Sequence, residues 1–501
     1  MGAYLNGQKV STLFDVILGQ YNIDVVNTQE GTQELYVNDG TARTSGRSII
    51  NPNTPVSKFN YRGVDIPLHI LDPQGTYNVK VVDFDGTILR EHYLNSGAKF
   101  YLPAVPTHDG LRFIDWSSPV EIIENSITVE NSDIVIGPTY TTLSGMNEFT
   151  VELNQVTGLS VNLNLDGIKD WGDGFTNDLL SHTYSQPGSY IIKCSGNQIT
   201  SSAIHGLFSQ SAGAPNYYVT EIKLANIATI NAYAFNYLRS LNKVILSNSI
   251  TSIENNAFRE CSRLETIIFP KSIDNIAELI CDGCHSLSNI VLPDTINSIN
   301  SSAFSNCEVL EYICLPFNLN YIGLNAFNSC YSLKRITIPE SVMTLGDGIF
   351  TNCYALEDVH ILNGVQNLTS FNGCKNLRSI DIPLYVSNIG SFNGCENLKE
   401  IIVPNSVTNI GINTFSGCTS LLNYDFSAFD TPPILDDINA FRGINHLAKI
   451  WVKDNIALEN FKIANNWSNY ADYMYVKNMQ NNNQNINSGM NGGNVSWGGL
   501  I

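Results

Sequence analysis

Charged residues are scarce in this sequence, and basic residues are the scarcest of them. Charged residues make up 15% of the 501-residue chain, with 27 Lys and Arg against 46 Asp and Glu, so the net charge is −19. Nucleic acids and anionic membrane surfaces are both bound by clusters of Lys and Arg. The sequence therefore predicts no nucleic-acid partner and no attraction to an anionic membrane.

Long apolar stretches and a familiar nucleophile motif are also missing. No window of 18 consecutive apolar residues occurs, so we predict no insertion into a membrane. The segment around His182 contains Ser and Asp, but no Gly-x-Ser-x-Gly elbow that would expose a nucleophilic serine. A Ser-His-Asp triad is therefore not expected.

What the sequence does contain is a repeat of about 23 residues between Phe235 and Leu447, roughly Phe-x-x-Cys-x-x-Leu-x-x-Ile-x-Leu-Pro. Its first slot is occupied by Phe235, Phe258, Cys281, Phe304, Phe327, Phe350, Phe371, Phe392, Phe415 and Phe441. Its cysteine slot is occupied by Cys261, Cys284, Cys307, Cys330, Cys353, Cys374, Cys395 and Cys418. A fixed period of this length is typical of a solenoid, in which each coil buries its apolar face against its neighbours. Ten coils at roughly 4.8 Å per stacked strand predict a rod of about 45–50 Å.

Each coil is expected to hold a short strand that a proline ends. Residues 264–269 alternate between inward and outward positions, as a strand does, and Pro270 cannot donate to a strand ladder. The spacing shortens to 21 residues from Phe350 to Phe371 and from Phe371 to Phe392, which predicts tighter turns there.

The repeat resembles the BspA-like subfamily of leucine-rich repeats, most closely at 415–421, which reads Phe-Ser-Gly-Cys-Thr-Ser-Leu, and at Ile410-Gly411. The segment from Ile450 to Tyr470, which includes Trp467, resembles the segment that closes such a solenoid. Members of that family are adhesins and surface proteins of bacteria, some protists and their phages. The resemblance implies extracellular binding and brings no catalytic residue with it.

The cysteine column has a structural and a chemical interpretation. Eleven cysteines are compatible with disulfides or a metal ladder. However, Leu238 and Ile444 fill the same slot in the outer coils, which indicates an apolar position, and unpaired cysteine is commonly buried. Only Cys281 and Cys284 have Cys-x-x-Cys spacing, and the repeat already explains it. We therefore favour buried, reduced thiols and expect no metal and no cofactor.

Upstream, residues 77–119 contain alternating apolar positions around an Asp85-Gly86 turn, followed by Asp109-Gly110-x-x-Phe113-x-x-Trp116. An Asp-Gly turn between alternating segments predicts a β-hairpin. This order resembles the Listeria–Bacteroides repeat, the B-repeat of internalins, which implies a small β-grasp-like spacer. Trp116 is expected to be a core residue rather than part of a ligand site.

A third segment contains Trp171-Gly-Asp-Gly, then His182-Thr-Tyr184, then Pro187-Gly-Ser-Tyr190. It resembles the polycystic-kidney-disease (PKD) module, which implies an immunoglobulin-like β-sandwich. Trp171 and Tyr190 are expected to fill its core. Asp170 and Asp173 are expected to accept backbone N–H groups in the turn, and the alternative is a calcium site.

The sequence thus predicts a mainly β chain of several modules. They are an N-terminal β or attachment segment at 1–60, a β-grasp-like module at 61–140, a PKD-like sandwich at 141–218, a leucine-rich-repeat solenoid at 219–477, and a flexible Asn- and Gly-rich tail at 478–501. The tail holds too few apolar residues to offset the entropy of ordering it.

The predicted function is non-enzymatic binding. The opening residues carry no early positive charge, and Asp15 divides their apolar stretch, which does not match a secretory signal. We therefore expect a phage virion protein, such as a tail-fibre or appendage subunit that recognises a host-surface glycan or protein. Its N-terminal segment would bind other virion proteins, in a homo-oligomer or larger assembly. The alternatives are a bacterial cell-surface adhesin, a virion decoration without a receptor, and a glycan hydrolase, although no pair of carboxylates for hydrolysis is evident.

The predicted binding surface is the outward side of the strands in the middle coils. Tyr and Arg are enriched at binding hot spots, and solenoids use continuous faces for binding. The alternative is a solvated sheet face without a ligand. The candidate residues are Glu311, Tyr312, Lys334, Arg335, Thr337, Glu357, Asp358 and His360.

Overall fold

A computed structural model of the chain is mainly β, with 33% strand and 4% helix, and it ends in a β-solenoid of about 11 turns. It describes residues 77–477, apart from 95–96, 124–125, 130–131, 154–158, 199–216, 362–364 and 391, together with seven short strands in the first 67 residues. The predicted fold class is confirmed for the solenoid. The tail predicted at 478–501 lies outside the described residues.

The N-terminal strands form three small antiparallel sheets. Their members are the hairpin Tyr4–Leu5 and Gln8–Lys9, the meander Asn22–Asn27, Gln33–Asn38 and Arg47–Ile50, and the hairpin Lys58–Tyr61 and Val64–Pro67. The role of residues 1–60 as an attachment segment stays a prediction.

Residues 77–142, called the docked module from here on, contain a four-stranded mixed sheet and a strand pair. The sheet order is Leu111–Ser117, Ile134–Thr142, Tyr77–Val82 and Ile88–Leu94, and the pair is Lys99–Tyr101 with Ser126–Thr128. Gly86 has φ 85° in the turn between the two hairpin strands, a conformation that favours glycine. Trp116 is buried in the core of this module, as predicted. Its likeness to a β-grasp spacer stays a prediction.

The next segment packs two sheets around Trp171. The larger sheet has the order Thr176–Asn177, Lys169–Asp170, Gly188–Cys194, Asn147–Leu153, Tyr217–Leu224 and Lys243–Leu246, and the smaller one pairs Leu159–Asn162 with Ser181–Tyr184. Trp171 is fully buried, while Tyr190 is partly buried against the same core. The likeness to a PKD module stays a prediction.

Strand Tyr217–Leu224 belongs to both this sandwich and the solenoid. It pairs antiparallel with Asn147–Leu153 and parallel with Lys243–Leu246, which is the first strand of the coil stack. One hydrophobic core consequently extends from Phe149 in the sandwich to Met474 at the end of the solenoid. The strand crosses the predicted boundary at 218/219.

Two columns of parallel strands build the solenoid. The A strands are Lys243–Leu246, Thr266–Ile268, Asn289–Val291, Arg335–Ile338, Asp358–Ile361, Glu400–Ile402, Asn423–Phe426, Lys449–Val452 and Met474–Val476. The B strands are Thr229–Ile230, Ser252–Ile253, Asn275–Ile276, Ser298–Ile299, Tyr321–Ile322, Thr344–Leu345, Asn367–Leu368, Asn388–Ile389, Asn409–Ile410 and Ile434–Leu435. Prolines such as Pro339 follow the A strands, as predicted.

The repeated phenylalanines stack in one column, with neighbouring ring centroids 5.2–6.0 Å apart. Cys281 interrupts the column, because a thiol stands there in place of a ring. Phe269, directly after the preceding A strand, is fully buried, and its ring lies 6.4 Å from that of Phe304. A large side chain in one column thus compensates for a small one in the next.

The buried cysteines form a second column with a specific hydrogen bond. Each of the eight thiols lies 3.1–3.5 Å from the carbonyl oxygen of the phenylalanine-slot residue one coil earlier. That carbonyl also accepts the backbone N–H three residues further on, as Phe304 O does from Cys307 N at 3.4 Å. Cysteine therefore suits this slot, because it is apolar and donates to a buried carbonyl. All eleven cysteines are unpaired and buried, which confirms the prediction.

The two shortened coils lose a left-handed turn. In the 23-residue coils the residue two positions before the phenylalanine slot has positive φ, as at Asn325 (54°) and Gly348 (66°). Thr369 and Gly390, at the same place in the two 21-residue coils, are not in this conformation. The tighter turns predicted from the spacing are thereby confirmed.

A helix and a 3-10 helix close the solenoid. The helix Asn455–Ile463 begins at Asp454, whose carboxylate accepts the N–H groups of Ile456 and Ala457 at 2.9 Å. In the 3-10 helix Trp467–Tyr473, the fully buried Trp467 packs against Phe426, Phe441 and Phe461 and donates Nε1–H to Pro433 O. This segment covers the last coil, as the family resemblance implied.

The docked module packs on the outward side of the first coils. Midway along each A-strand segment one side chain points away from the core, and these make up the outward column: Ile245, Ile268, Val291, Cys314, Thr337, His360, Asp381, Ile402, Asp425 and Trp451. The first three cluster with Val82, Phe84, Val135 and Tyr140 of the module. Cys314 packs with the module's own core. The outward column is apolar where it is covered, and it turns polar at Thr337.

Close approach of the two sheets depends on Gly137. A Cβ at this position would lie 2.5 Å from Ile268 Cδ1 and 3.1 Å from Val82 O. Around this contact, Ser117 Oγ donates to Phe269 O at 2.7 Å, and Lys80 Nζ donates to Asn289 Oδ1 at 2.7 Å. The apolar contact is thus surrounded by hydrogen bonds that fix its register.

Replacing one buried cysteine of the column should destabilise the solenoid without affecting the docked module. Cys330→Ala is expected to lower the free energy of unfolding by about 1–3 kcal/mol, because buried volume and the bond to Phe304 O are both lost. Chemical denaturation measures this change. Burial also raises the pKa of Cys330 to about 12, so native protein should react slowly with thiol reagents. Rapid native-state labelling of Cys330 would contradict the buried-thiol assignment.

Adding a methyl group at Gly137 should weaken docking. Gly137→Ala is expected to cost about 1–3 kcal/mol, because Ile268 must shift in a packed interface. Ile268→Val in the same chain should restore part of the loss, since it removes the Cδ1 atom that clashes. Thermal unfolding and limited proteolysis of the wild type, the two single variants and the double variant give the coupling between the two positions in a double-mutant cycle. Equal stability of Gly137→Ala and the wild type would show that the sheets are not in contact.

Candidate binding surface

The eight predicted residues lie together beside the edge of the docked module, four of them within the A strands Arg335–Ile338 and Asp358–Ile361 and four directly before these strands or in the preceding coil. Arg335 is the strand partner of Asp358, and Thr337 is that of His360. Tyr312 belongs to the coil before, and its ring lies 5.6 Å from the Arg335 guanidinium. The region formed by these residues is called the uncovered A face. Its role in binding stays a prediction.

The uncovered A face is a ladder of alternating charges. Lys334 Nζ lies 2.8 Å from Glu311 Oε2, Arg378 pairs with Glu357 at 3.2 Å, and His360 Nε2 lies 3.3 Å from Asp358 Oδ2. Each carboxylate thus has a cationic or titratable neighbour in contact. The arrangement offers hydrogen bonds and charges to a ligand rather than a pair of carboxylates facing each other across a cleft.

Arg335 has a structural role that the sequence did not reveal. Its Nε lies 3.2 Å from Asp133 Oδ2 of the docked module, and the Asp133 side chain is only 5% exposed. Asp133 Oδ1 accepts the backbone N–H of Asn78 at 2.5 Å. Burial raises the pKa of Asp133 to about 6, although the Asn78 N–H and Arg335 act in the opposite direction. Arg335 is therefore a poor position for a binding test, because its loss would leave a buried carboxylate.

Two cavities follow the seam between the docked module and the solenoid. The seam cavity, of about 180 Å³, is lined by Asn78, Glu91, Tyr93 and Asp133 from the module and by Glu311 and Tyr312 from the solenoid, among others. A wider cleft of about 580 Å³ lies near Lys99, Ile123 and Phe317. Two of the predicted binding residues therefore face the docked module as well as solvent.

The Asp170 and Asp173 carboxylates accept backbone N–H groups in their turn, from Gly172 at 3.0 Å and Phe175 at 3.3 Å. Asp173 also bonds His182, whose ring stacks on Trp171 at 5.2 Å. The capping role predicted for these aspartates is confirmed. Across the described part of the chain, no group of three or more His, Cys, Asp and Glu side chains is arranged to hold a metal ion.

Sequence reasoning missed the docking surface, although one signal for it was present. The outward column reads Ile245, Ile268 and Val291 where a solvated face would carry polar residues, and then changes to Thr337 and His360. An apolar residue at an outward position in successive coils indicates a covered face.

Among the residues that the structure describes, no helix is long and apolar enough to cross a bilayer.

The fold and surface define a leucine-rich-repeat scaffold suited to binding. Residues 228–357, 276–391 and 355–456 match the model of the BspA type leucine rich repeat region, in six copies. The solenoid of this chain therefore belongs to the BspA-type leucine-rich repeats, as its motif indicated. Proteins built on these repeats are typically non-enzymatic binding proteins.

Three solved structures are similar to parts of the chain. A leucine rich cell surface protein from Faecalibacterium prausnitzii is 28% identical, over 40% of this chain and 69% of that one, with a TM-score of 0.27. A leucine rich repeat protein from T. pallidum is 31% identical, over 34% and 72%, with a TM-score of 0.27. A leucine-rich repeat protein from Bacteroides ovatus is 22% identical, over 54% and 96%, with a TM-score of 0.22. A comparison with curated proteins finds no match.

The raised pKa of Asp133 predicts a pH dependence of stability. Its folded-state pKa of about 6 exceeds the unfolded value of 3.8, so folding favours the protonated form. The stability that Asp133 contributes is present in full below pH 4 and is lost as the pH rises through 6. Asp133→Asn should remove this component, so the difference in unfolding free energy between variant and wild type should change between pH 4 and 7. A constant difference would show that Asp133 titrates normally.

Proposed function

We propose that this chain is a non-enzymatic binding protein that recognises a surface molecule through the uncovered A face. The finer proposal is a phage tail-fibre or appendage subunit that contacts a host-surface glycan or protein. The repeat family supports the binding role. The virion location is supported by the resemblance of this repeat to surface proteins of bacteria and their phages.

One observation carries the binding proposal. The docked module covers the outward column in the first four coils, and among the described residues the column then becomes partly exposed at Thr337 and His360. Where the outward column becomes partly exposed, the surface combines two aromatic side chains, Tyr312 and His360, with the charged side chains of the neighbouring A strands. Aromatic and charged groups held on regular strands bind a partner with little loss of conformational freedom.

A bacterial cell-surface adhesin is the second candidate, since the same repeat family implies surface proteins and the same face would serve it. The two locations differ in one measurement. Antibody labelling in electron micrographs should place the chain on phage particles for the first candidate and on bacterial envelopes for the second. A decoration without a receptor would give virion labelling together with no binding to cells.

Removing the Asp358–His360 pair should weaken attachment without affecting the fold. Both side chains are about half exposed and contact each other at 3.3 Å, so their joint replacement by Ala leaves no charged partner of this pair behind. We expect at least tenfold weaker binding of labelled protein to a panel of intact bacterial cells, with a melting temperature within about 2 °C. Flow cytometry and thermal unfolding measure the two effects.

The matched control is the exposed pair Lys453 and Asp430, which are joined at 2.6 Å near the C-terminal end of the solenoid. Replacing both with Ala removes another exposed contact between a basic side chain and a carboxylate, from outside the uncovered A face. Cell binding should be unchanged in this variant. If the two double variants bind cells equally well, recognition does not use the uncovered A face.

A further inference from the structure

The seam cavity is built jointly by two modules that are distant in sequence. Asn78, Lys80, Glu91 and Tyr93 come from one hairpin of the docked module, in which Asn78 is the strand partner of Tyr93 and Lys80 that of Glu91. Tyr312 faces them from the solenoid. Neither module alone forms this cavity, so a ligand can bind in it only when the docked module is packed on the solenoid.

The Asn78 side chain holds Glu91 in the cavity wall. Asn78 is 3% exposed, and its Nδ2 donates to Glu91 Oε1 at 2.7 Å. A hydrogen bond from a buried amide fixes the orientation of the carboxylate that accepts it. Glu91 is therefore a preorganised acceptor for the hydroxyl groups of a cavity occupant.

The charges around the cavity balance. Its carboxylates are Glu91, Asp133 and Glu311, and the cations beside them are Lys80, Lys334 and Arg335. Two of the three pairs are direct ion pairs, and Lys80 is the strand partner of Glu91. A balanced set of this kind disfavours a net-charged occupant, because such a ligand would leave one charge uncompensated on burial.

Two tyrosine rings complete the wall. Tyr93 is 37% exposed on the module side, and Tyr312 lies on the solenoid side. Aromatic rings provide an apolar surface for the carbon face of a ligand, while the carboxylate and amide groups fix its orientation. A volume of about 180 Å³ suits a single small ring rather than a peptide.

We propose that the seam cavity binds one neutral sugar unit of a surface glycan. The Tyr93 and Tyr312 rings would pack against the sugar ring, while the Glu91 carboxylate accepts hydrogen bonds from its hydroxyl groups. This inference rests on the proposed binding function and assigns it a ligand class and a site. The apolar cluster around Gly137 and Ile268 holds the two walls together in advance, so the cavity exists before the sugar arrives.

The test begins with the full chain on an array of glycans that end in neutral sugars, alongside sialylated and sulfated glycans. We expect binding to the neutral group. Calorimetry with the best neutral glycan should show at least tenfold weaker binding for Tyr93→Ala and for Glu91→Gln. Tyr93→Ala removes an aromatic contact, whereas Glu91→Gln removes a charged hydrogen-bond acceptor. Circular dichroism confirms that each variant remains folded.

Two controls separate this inference from the proposed function. Tyr218→Ala removes a tyrosine of similar exposure from the sandwich sheet and should leave the glycan affinity unchanged. The Asp358→Ala, His360→Ala chain should keep its affinity for the sugar and lose cell binding. Binding to acidic glycans alone, binding to no glycan, or equal affinity in the Tyr93 and Tyr218 variants would overturn the inference. Cell binding that persists in any of these cases would leave the proposed function intact.

Discussion

The stacking of coils at one fixed spacing is the constraint on which this structure depends. A single coil cannot bury its apolar face, so the phenylalanine rings of neighbouring coils, except on either side of Cys281, pack on each other at 5.2–6.0 Å. The same stacking buries a carbonyl oxygen that one backbone N–H alone serves within its coil. The cysteine thiol of the next coil supplies the second hydrogen bond, as Cys330 does to Phe304 O. The stacking thus explains why cysteine, which is apolar and can donate this bond, recurs in the column.

Because the coils are in register, side chains at one repeat position form a continuous column. The polarity of that column determines where another part of the chain can pack on the solenoid. The outward column is apolar at Ile245, Ile268 and Val291, and there the docked module covers it. It becomes polar at Thr337 and His360, and there the side chains are partly exposed. The boundary between a structural face and a candidate binding face is thus set by a change of residue type within one column.

The sequence could predict the features that repeat and those with a local cause. The ring column, the buried thiols, the prolines after the A strands and the closing Trp467 each follow from the period or from a short motif. The contact between the module and the solenoid could not be predicted in this way, because it joins residues such as Lys80 and Asn289, which are 209 positions apart. The compensation of Cys281 by Phe269 was equally hidden, since the two occupy different columns of neighbouring coils. Strand Ile134–Thr142 did carry a signal in its sequence, because it opens with the apolar run Ile134-Val135-Ile136, and such a continuous run is typical of a strand covered on both faces.

The two-sided burial of that strand also shows which contacts hold the module in place. Exposed ion pairs, such as Lys271 with Asp115, contribute roughly 0–1 kcal/mol. Burial of one valine or phenylalanine side chain contributes about 1.5–3 kcal/mol, and Val82, Phe84 and Val135 are all buried between the sheets. The apolar cluster therefore provides most of the docking energy, while the polar groups around it select one register among those that the apolar residues would allow. The buried Asp133 carboxylate is one of these register-selecting groups. A buried charge is costly without a partner, so every register in which Arg335 does not pair with Asp133 is less stable.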